Sequence, residues 1–146
     1  MPSVNASITI QVPVEEAFDF AASPSRTPMF VPNLSENTDL STETTEVGQT
    51  WSWRFNLLGL DLKGKGETTL VEPNSKWQLK STGDASSTWT YTYAKEGDGT
   101  RVTIDVDYTL PESVLGKLGP AKKALAAIQQ QTADNALDNL KTILES

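Results

Sequence analysis

Through the middle of the chain, large apolar residues alternate with polar ones. Ser52 and Arg54 separate Trp51, Trp53 and Phe55. Thr90 and Thr92 separate Trp89, Tyr91 and Tyr93. Thr103, Asp105, Asp107 and Thr109 separate Val102, Ile104, Val106, Tyr108 and Leu110. Successive side chains of an extended strand point to opposite faces, so each apolar set falls on one face. The pattern predicts an antiparallel sheet with one aromatic face and one wet face. Ser3 to Val12 shows the same alternation, with Val4, Ala6, Ile8, Ile10 and Val12 in phase, and Pro13 stops it. Leu34 to Thr44 is polar and weakly patterned, as an edge strand would be. The remaining strands are Gln49 to Leu57, Leu60 to Glu72, Lys76 to Ser81, Thr88 to Lys95 and Thr100 to Leu110. Their turns fall at Gly59, Pro73-Asn74, Gly83-Asp84 and Gly97-Asp98-Gly99, the last a strong hairpin signal. Gly64 and Gly66 lie inside a strand, which predicts a bend or bulge.

The helical period appears at both ends of this strand run. Val14 to Ala22 carries an apolar stripe of Val14, Ala17, Phe18 and Ala21, with Pro13 before it and Glu15 and Glu16 in its first turn. Ser23-Pro24 predicts a second helix, kept short by Pro28 and Pro32. After Pro111, Glu112 to Leu118 reads as a short helical turn. Pro120 then opens a long helix, with Ala124, Leu125, Ile128, Thr132, Ala136, Leu140, Ile143 and Leu144 on one face. About 25 residues of helix reach nearly 40 Å, enough to cross the sheet and cover its aromatic face. The expected architecture is α+β: a sheet gripping a helix, with room for an apolar guest.

Length and composition narrow the function. With 146 residues the chain is expected to form one domain, 1–146, large enough for a proper core. No apolar run is long enough to span a membrane, and the opening MPSVNASITI lacks the charged and apolar regions of a signal peptide. A cytoplasmic location is expected, as a monomer or homodimer. There is no cysteine, hence no thiolate chemistry. There is no histidine either, which removes the commonest general base and the usual zinc ligand. We expect no metal and no cofactor. A net charge of −7 argues against nucleic acid and against acidic membrane surfaces as partners.

Four stretches carry a more specific signal: Val47-Gly48-Gln49-Thr50-Trp51, Gly97-Asp98-Gly99-Thr100-Arg101-Val102-Thr103-Ile104, Tyr108-Thr109-Leu110-Pro111, and 137–145, Leu-Asp-Asn-Leu-Lys-Thr-Ile-Leu-Glu. With the element order, they make the whole chain resemble the polyketide cyclase/dehydrase branch of the START-like, or SRPBCC, superfamily. The resemblance implies a helix-grip fold: a curved antiparallel seven-strand sheet around a long C-terminal helix, with two short helices after the first strand. It also implies binding or transport of a small hydrophobic molecule, such as a lipid, a quinone or an aromatic polyketide, between sheet and helix. A cyclase or dehydratase using the same cavity is the alternative. A third reading is an accessory module that docks a partner on the outer sheet face, whose threonines offer little apolar area.

The residues expected to line the cavity are Trp53, Phe55, Trp77, Trp89, Tyr91, Tyr108, Ile128 and Thr132, with Phe30 near the entrance. Central residues are expected to line it and those at the sheet ends to form core. Against this stands the plainer reading that the aromatics simply fill the interior. At least two of the hydroxyls of Tyr91, Tyr93 and Tyr108 are expected to reach solvent or backbone, and Thr132 to bond back to its own helix. Arg54 and Arg101 have the parity of the wet face, and Arg26 lies nearer the expected mouth. Surface roles are expected for all three. Asp105 and Asp107 are also on the wet face. No catalytic residue is assigned.

Overall fold

The computed structural model describes residues 3–146. Seven strands form one antiparallel sheet: β1 (Ser3–Ile10), β2 (Leu34–Thr38), β3 (Thr50–Leu57), β4 (Leu60–Glu72), β5 (Lys76–Gly83), β6 (Ser86–Glu96) and β7 (Gly99–Thr109). Their spatial order is β1-β7-β6-β5-β4-β3-β2. Strands β2 to β7 thus form a continuous meander, and β1 returns to pair with β7, Val4 opposite Val106 and Ile10 opposite Thr100. Helix α1 (Val14–Ala21) and a 3-10 turn at Thr27–Met29 carry the chain from one edge to the other. After β7 come α2 (Glu112–Leu118), a 3-10 segment at Gly119–Ala124 and the long α3 (Leu125–Glu145). This is the helix-grip architecture expected from the sequence.

The alternation holds. Trp51, Trp53 and Leu57 of β3, Tyr91 and Tyr93 of β6, and Val102, Ile104, Val106 and Tyr108 of β7 are all buried on the inner face. Asp105 and Asp107 are exposed, as their parity requires. Tight turns set the register. Gly97, at φ 60°, permits the two-residue connection from Glu96 to Gly99. Between β3 and β4, Leu58 and Gly59 both take positive φ, and the Asn56 side chain accepts a hydrogen bond from the Gly59 amide at 3.0 Å.

The glycines inside β4 are there for the indoles. Gly64 and Gly66 pair with Trp53 and Trp51 on β3. A Cβ on Gly66 would overlap the Trp51 ring. One on Gly64 would come within 2.6 Å of Trp53 and run into the Thr82 carbonyl. Bare backbone at these positions lets both indoles lie across the neighbouring strand. The sequence predicted a bend here, but the register irregularity on β4 falls further along, between Thr68 and Leu70.

Several elements differ from expectation. The second short helix is a single 3-10 turn. Thr27 closes back on the Ser23 carbonyl through its amide (3.1 Å) and its hydroxyl (2.8 Å), so Ser23 anchors a turn instead of capping a helix. Strand β2 ends at Thr38. Pro120 lies in the 3-10 segment, and α3 begins only after that segment, at Leu125. At 1.5 Å per residue, the 21 residues of α3 span about 31 Å. Its buried face is Leu125, Thr132, Ala133, Ala136, Leu137 and Leu140, which leaves Ala124 exposed and Ile128 only half-buried.

Helix α3 runs alongside β1. Gln130 donates to the Asn5 carbonyl, Lys141 to the Thr9 carbonyl, and the Glu145 carboxylate accepts from the Gln11 amide. The first two of these bonds occupy edge carbonyls of β1 that would otherwise face outward, and the third holds the residue just past the strand. They also hold the helix across one side of the inner face. Phe30, 1% exposed, is tied in from the other side, its carbonyl accepting from Asn139 at 3.0 Å.

Candidate functional site

The interior is not filled evenly. A cavity of about 120 Å³ lies between the sheet, the Thr27–Met29 turn and the start of α3. Its walls come from the end of β3 (Trp53, Phe55, Leu57), the end of β5 (Leu79, Ser81), the start of β6 (Ser87, Trp89, Tyr91) and the end of β7 (Val106, Tyr108). In an antiparallel sheet these positions all lie toward one end. Both edge strands contribute as well, Val4 from β1 and Leu34 and Asn37 from β2. Two edges can meet around one space only if the sheet curls. Gln129, Thr132 and Ala133 of α3 close the side. The other end of the sheet is solid core, where Phe18 of α1 meets Tyr93 edge-on at 5.2 Å beside Ile10, Val102 and Leu140. The sequence placed the cavity centrally with core at both ends; it sits at one end because α1 plugs the other.

Of the residues expected at the site, Trp53, Phe55, Trp89, Tyr91, Tyr108 and Thr132 line this cavity. Trp77, Phe30 and Ile128 do not. Trp77 has the right parity but lies toward the closed end. It is fully buried, stacked on Tyr91 at 5.2 Å, with its indole N–H bonded to Thr68 Oγ1 at 3.1 Å. The Thr68 hydroxyl donates to Gln49 Oε1, and Gln49 Nε2 donates to the Thr42 carbonyl. This buried chain pins the irregular segment before β3 against the sheet. Phe30 belongs to the core instead of an entrance. Ile128 is displaced because α3 presents Gln129, Thr132 and Ala133 to the cavity. Alternation could not reveal Val31, Leu34, Asn37 or Ala133 as lining residues, since they lie in a turn, on an edge strand and on a rotated helix face.

The polar atoms in and behind the wall divide into those with partners and those without. Trp53 donates to the Lys65 carbonyl at 3.0 Å and Trp89 to Ser87 Oγ at 3.1 Å. Ser81 and Ser87 bond each other. Thr132 bonds back to the Ile128 carbonyl at 3.0 Å, as expected, so its hydroxyl hydrogen is already used. Tyr91 and Tyr93 overturn the expectation for hydroxyls. Both are buried with no hydrogen-bond partner, and so is Asn37 Oδ1. Burial pushes the Tyr91 hydroxyl pKa well above its ordinary value near 10. It does the same to Tyr93, where the neighbouring Tyr91 adds to the effect. Tyr108 is raised by burial too. All three are neutral donors at any ordinary pH.

No Asp, Glu, Lys or Arg appears among the described residues that line the cavity. Arg54 faces water, bonded to Asp61 at 2.7 Å, and Arg101 pairs with Glu96 at 3.6 Å. Arg26 lies over the Phe20 ring at 5.3 Å and donates to the Asp19 carbonyl, beside a separate polar groove. Among the described residues there is no cluster of carboxylates suited to a metal ion, and no helix long and apolar enough to cross a membrane. Chemically, the site can enclose an uncharged apolar body and offer it neutral hydrogen-bonding groups.

Comparison with known proteins gives a consistent family. A family model described as polyketide cyclase/dehydrase and lipid transport matches residues 1–145. Among solved structures, TTHA0849 from Thermus thermophilus superposes with a TM-score of 0.82 at 20% identity, covering 99% of this chain and 97% of that one. The Zhui aromatase/cyclase from Streptomyces sp. R1128 gives 0.79 at 13% identity, over 98% and 93%. The di-domain ARO/CYC StfQ of the steffimycin biosynthetic pathway gives 0.77 at 14% identity, over 99% of this chain and 50% of that one. At these identities the likenesses show a shared fold. No curated protein sequence matches the chain.

Proposed function

The chain belongs to the polyketide cyclase/dehydrase and lipid transport family, and from that premise we propose that it binds a small, uncharged hydrophobic molecule in the cavity at the open end of its sheet. The observation that carries this reading is the composition of the wall: mostly aromatic and aliphatic groups, with a few uncharged polar side chains among them and no charged one. Pockets that take small molecules are mostly apolar with a few placed polar groups. An anionic guest would lose its hydration here without gaining a counter-charge. Size adds a constraint. Ligand pockets usually measure ~300–1,000 Å³, while an apolar cavity of roughly 150 Å³ holds benzene. At about 120 Å³ the cavity matches the scale of one ring. A lipid or a polycyclic guest therefore enters only if the wall yields.

Cyclisation of a polyketide-like substrate is the second reading, favoured by the aromatase/cyclase names among the structural neighbours. Such an enzyme would work by holding a folded chain in shape, which by itself supplies several kcal/mol, with the tyrosine hydroxyls as donors. The wall offers it no base that is ionised near neutral pH, so binding stands first.

The test is native mass spectrometry of gently purified protein, followed by titration with an apolar fluorescent dye. A co-purified neutral guest, and quenching of tryptophan emission by the dye, are expected, since Trp51, Trp53 and Trp89 line the cavity. Ala133→Phe should reduce dye binding in a protein that still melts cooperatively, whereas Ile128→Trp, off the wall, should not. Equal dye binding by Ala133→Phe and the parent protein would place the guest elsewhere.

A further inference from the structure

The inner face changes character from row to row. Antiparallel pairing sets Trp77, Tyr91, Ile104 and Ala6 side by side across β5, β6, β7 and β1. The next row toward the open end is Leu79, Trp89, Val106 and Val4, again apolar. The third row is different. Ser87 pairs with Ser81 on one side and with Tyr108 on the other, and all three line the cavity. The wall is therefore apolar inside and hydroxyl-bearing toward its mouth. The serines are also tied into a chain. Trp89 Nε1 donates to Ser87 Oγ at 3.1 Å, and the Ser81 and Ser87 hydroxyls bond each other. The indole supplies its own hydrogen. The two hydroxyls have two between them, and the bond joining them uses one. If Ser87 donates, the spare hydrogen is on Ser81. If Ser81 donates, Ser87 accepts twice and keeps its own. Either way one O–H is left to give, from a pair that is half-buried and not sealed in. The Tyr108 hydroxyl has no partner among the described residues and, unlike those of Tyr91 and Tyr93, is not sealed from solvent.

Resting on the binding reading above, we propose that the Ser81–Ser87 pair is the polar anchor of the cavity, donating its spare hydrogen to the carbonyl oxygen of an uncharged, ring-sized ligand. Tyr108 supplies a second donor on the same row. The hydrogen count sets the class. A surplus of donors is complemented by an oxygen that carries no hydrogen, as in a ketone, an aldehyde or an ester, and a carbonyl oxygen has lone pairs for two donors. Because Ser87 accepts from Trp89, the hydroxyl at the end of the chain is a stronger donor than an isolated one. A hydrocarbon of the same shape leaves the donors unpaired. Sites built to bond a polar group reject analogues that lack it far more strongly than apolar walls reject a missing methyl. A carboxylate could accept as well, but no cation faces the cavity to balance its charge. The order of the rows sets the orientation: the oxygen lies toward the mouth, and the hydrocarbon body lies inward against Leu79, Trp89 and Val106.

The probes are acetophenone, benzoate and α-methylstyrene, which has the shape of acetophenone with a methylene in place of the oxygen. Affinities are read by calorimetry. A purely apolar cavity favours the hydrocarbon, because the ketone oxygen loses its water on entry. The proposal requires acetophenone to bind the parent protein at least as tightly as α-methylstyrene, and benzoate more weakly than either. The variant Ser81→Ala/Ser87→Ala/Trp89→Phe removes the pair together with the indole N–H that would otherwise be freed. In it acetophenone should lose about tenfold or more relative to α-methylstyrene, the effect of one neutral hydrogen bond. The ratio of two probes of equal shape cancels any change in cavity size. Ser81→Ala alone should keep the parent's ratio, because Ser87 then has its own hydrogen to give. Tyr108→Phe should weaken acetophenone and leave α-methylstyrene unchanged. Infrared spectra of isotopically labelled acetophenone report the bond directly: in the parent protein its carbonyl stretch should lie below the position seen in hexane. That measurement decides the matter even if the triple variant does not fold. A parent protein that prefers α-methylstyrene, a carbonyl stretch at the hexane position, or a folded triple variant with the parent's ratio would overturn the anchor while the binding reading stands. Tight binding of benzoate would overturn the uncharged class. Failure of both neutral probes and of the apolar dye would remove the binding reading itself, and the anchor with it.

Discussion

Three glycine-to-alanine substitutions test whether the indoles were made possible by the backbone beneath them. Gly64 and Gly66 have ordinary negative-side dihedrals, so alanine at either meets no backbone strain of its own. What it meets is neighbouring atoms. At Gly66 the new methyl would overlap the Trp51 ring, coming within 2.6 Å of Nε1 and 2.7 Å of Cζ2. Trp51 is 4% exposed and has the Trp77 ring 6.5 Å behind it, so its indole has little room to retreat. Overpacking of this kind costs about 1–3 kcal/mol. At Gly64 the obstacles include the Thr82 carbonyl as well as the Trp53 ring. Backbone cannot step aside as a ring can, so Gly64→Ala is expected to cost more than Gly66→Ala. Gly116 is the control. It lies in α2 with nothing near the new methyl, and alanine there should stabilise by about 0.5–1 kcal/mol. At about 2.1 cal/mol/K per residue, unfolding 146 residues carries an entropy of about 0.3 kcal/mol/K. Gly66→Ala should therefore lower Tm by about 3–10 °C, and Gly116→Ala should raise it by about 2–3 °C. Differential scanning calorimetry at one protein concentration reads all three. A Gly66→Ala protein that melts with the parent, or a Gly64→Ala milder than Gly66→Ala, would refute the reasoning.

Thr68→Val keeps the shape of a buried side chain but breaks the chain from Trp77 to Gln49, leaving an indole N–H and an amide oxygen unpaired. A loss of about 2–4 kcal/mol in denaturant unfolding is expected, at the sum of two modest orphan penalties. The pH dependence has a definite sign. Tyr91 and Tyr93 hold their protons in the folded state above the ordinary value near 10. Stability is thus unaffected by them below pH 10 and falls as pH rises above it, where the unfolded chain ionises and the folded chain does not. Alkaline unfolding followed by circular dichroism should shift upward in Tyr93→Phe. Affinity for an uncharged guest should be flat between about pH 6 and 8, because no group in the wall titrates there; a tenfold change would point to an enzyme with a buried acid or base. Amide exchange from Val114 to Leu118 should slow when ligand saturates the protein, because α2 follows directly on Leu110 of the wall and a guest larger than one ring needs this end to move. Unchanged exchange would assign the opening to another segment.

Period-two alternation was enough to place the sheet. Residues 51–57, 89–93 and 102–108 are each read as strands by pattern alone, and each turns its apolar set inward, with Phe55 and Trp89 half-buried and the rest buried. Burial of one face forces this, since a slip of one residue would turn every aromatic outward. The absence of histidine and cysteine excluded whole classes of chemistry on composition alone. The wet-face placement of Arg54, Arg101, Asp105 and Asp107 followed from parity in the same way.

Parity names a face but not a position along it. Trp77 and Trp53 share the inner face, yet one is packing at the closed end and the other is cavity wall. The difference is made by α1, whose Phe18 fills one end of the curl, and a local pattern carries no information about which distant element arrives there. The starting point of α3 was likewise set outside the helix. The 3-10 segment around Pro120 delays it to Leu125, and that offset turns Thr132 and Ala133 toward the cavity and Ile128 away. Asn37 was invisible on a polar edge strand until curling brought β2 round to face β6. The unsatisfied hydroxyl of Tyr91 is also a tertiary fact. Whether a tyrosine finds a partner depends on which atoms the fold brings within hydrogen-bond reach, and here stacking on Trp77 and Trp89 holds the ring where none is reached.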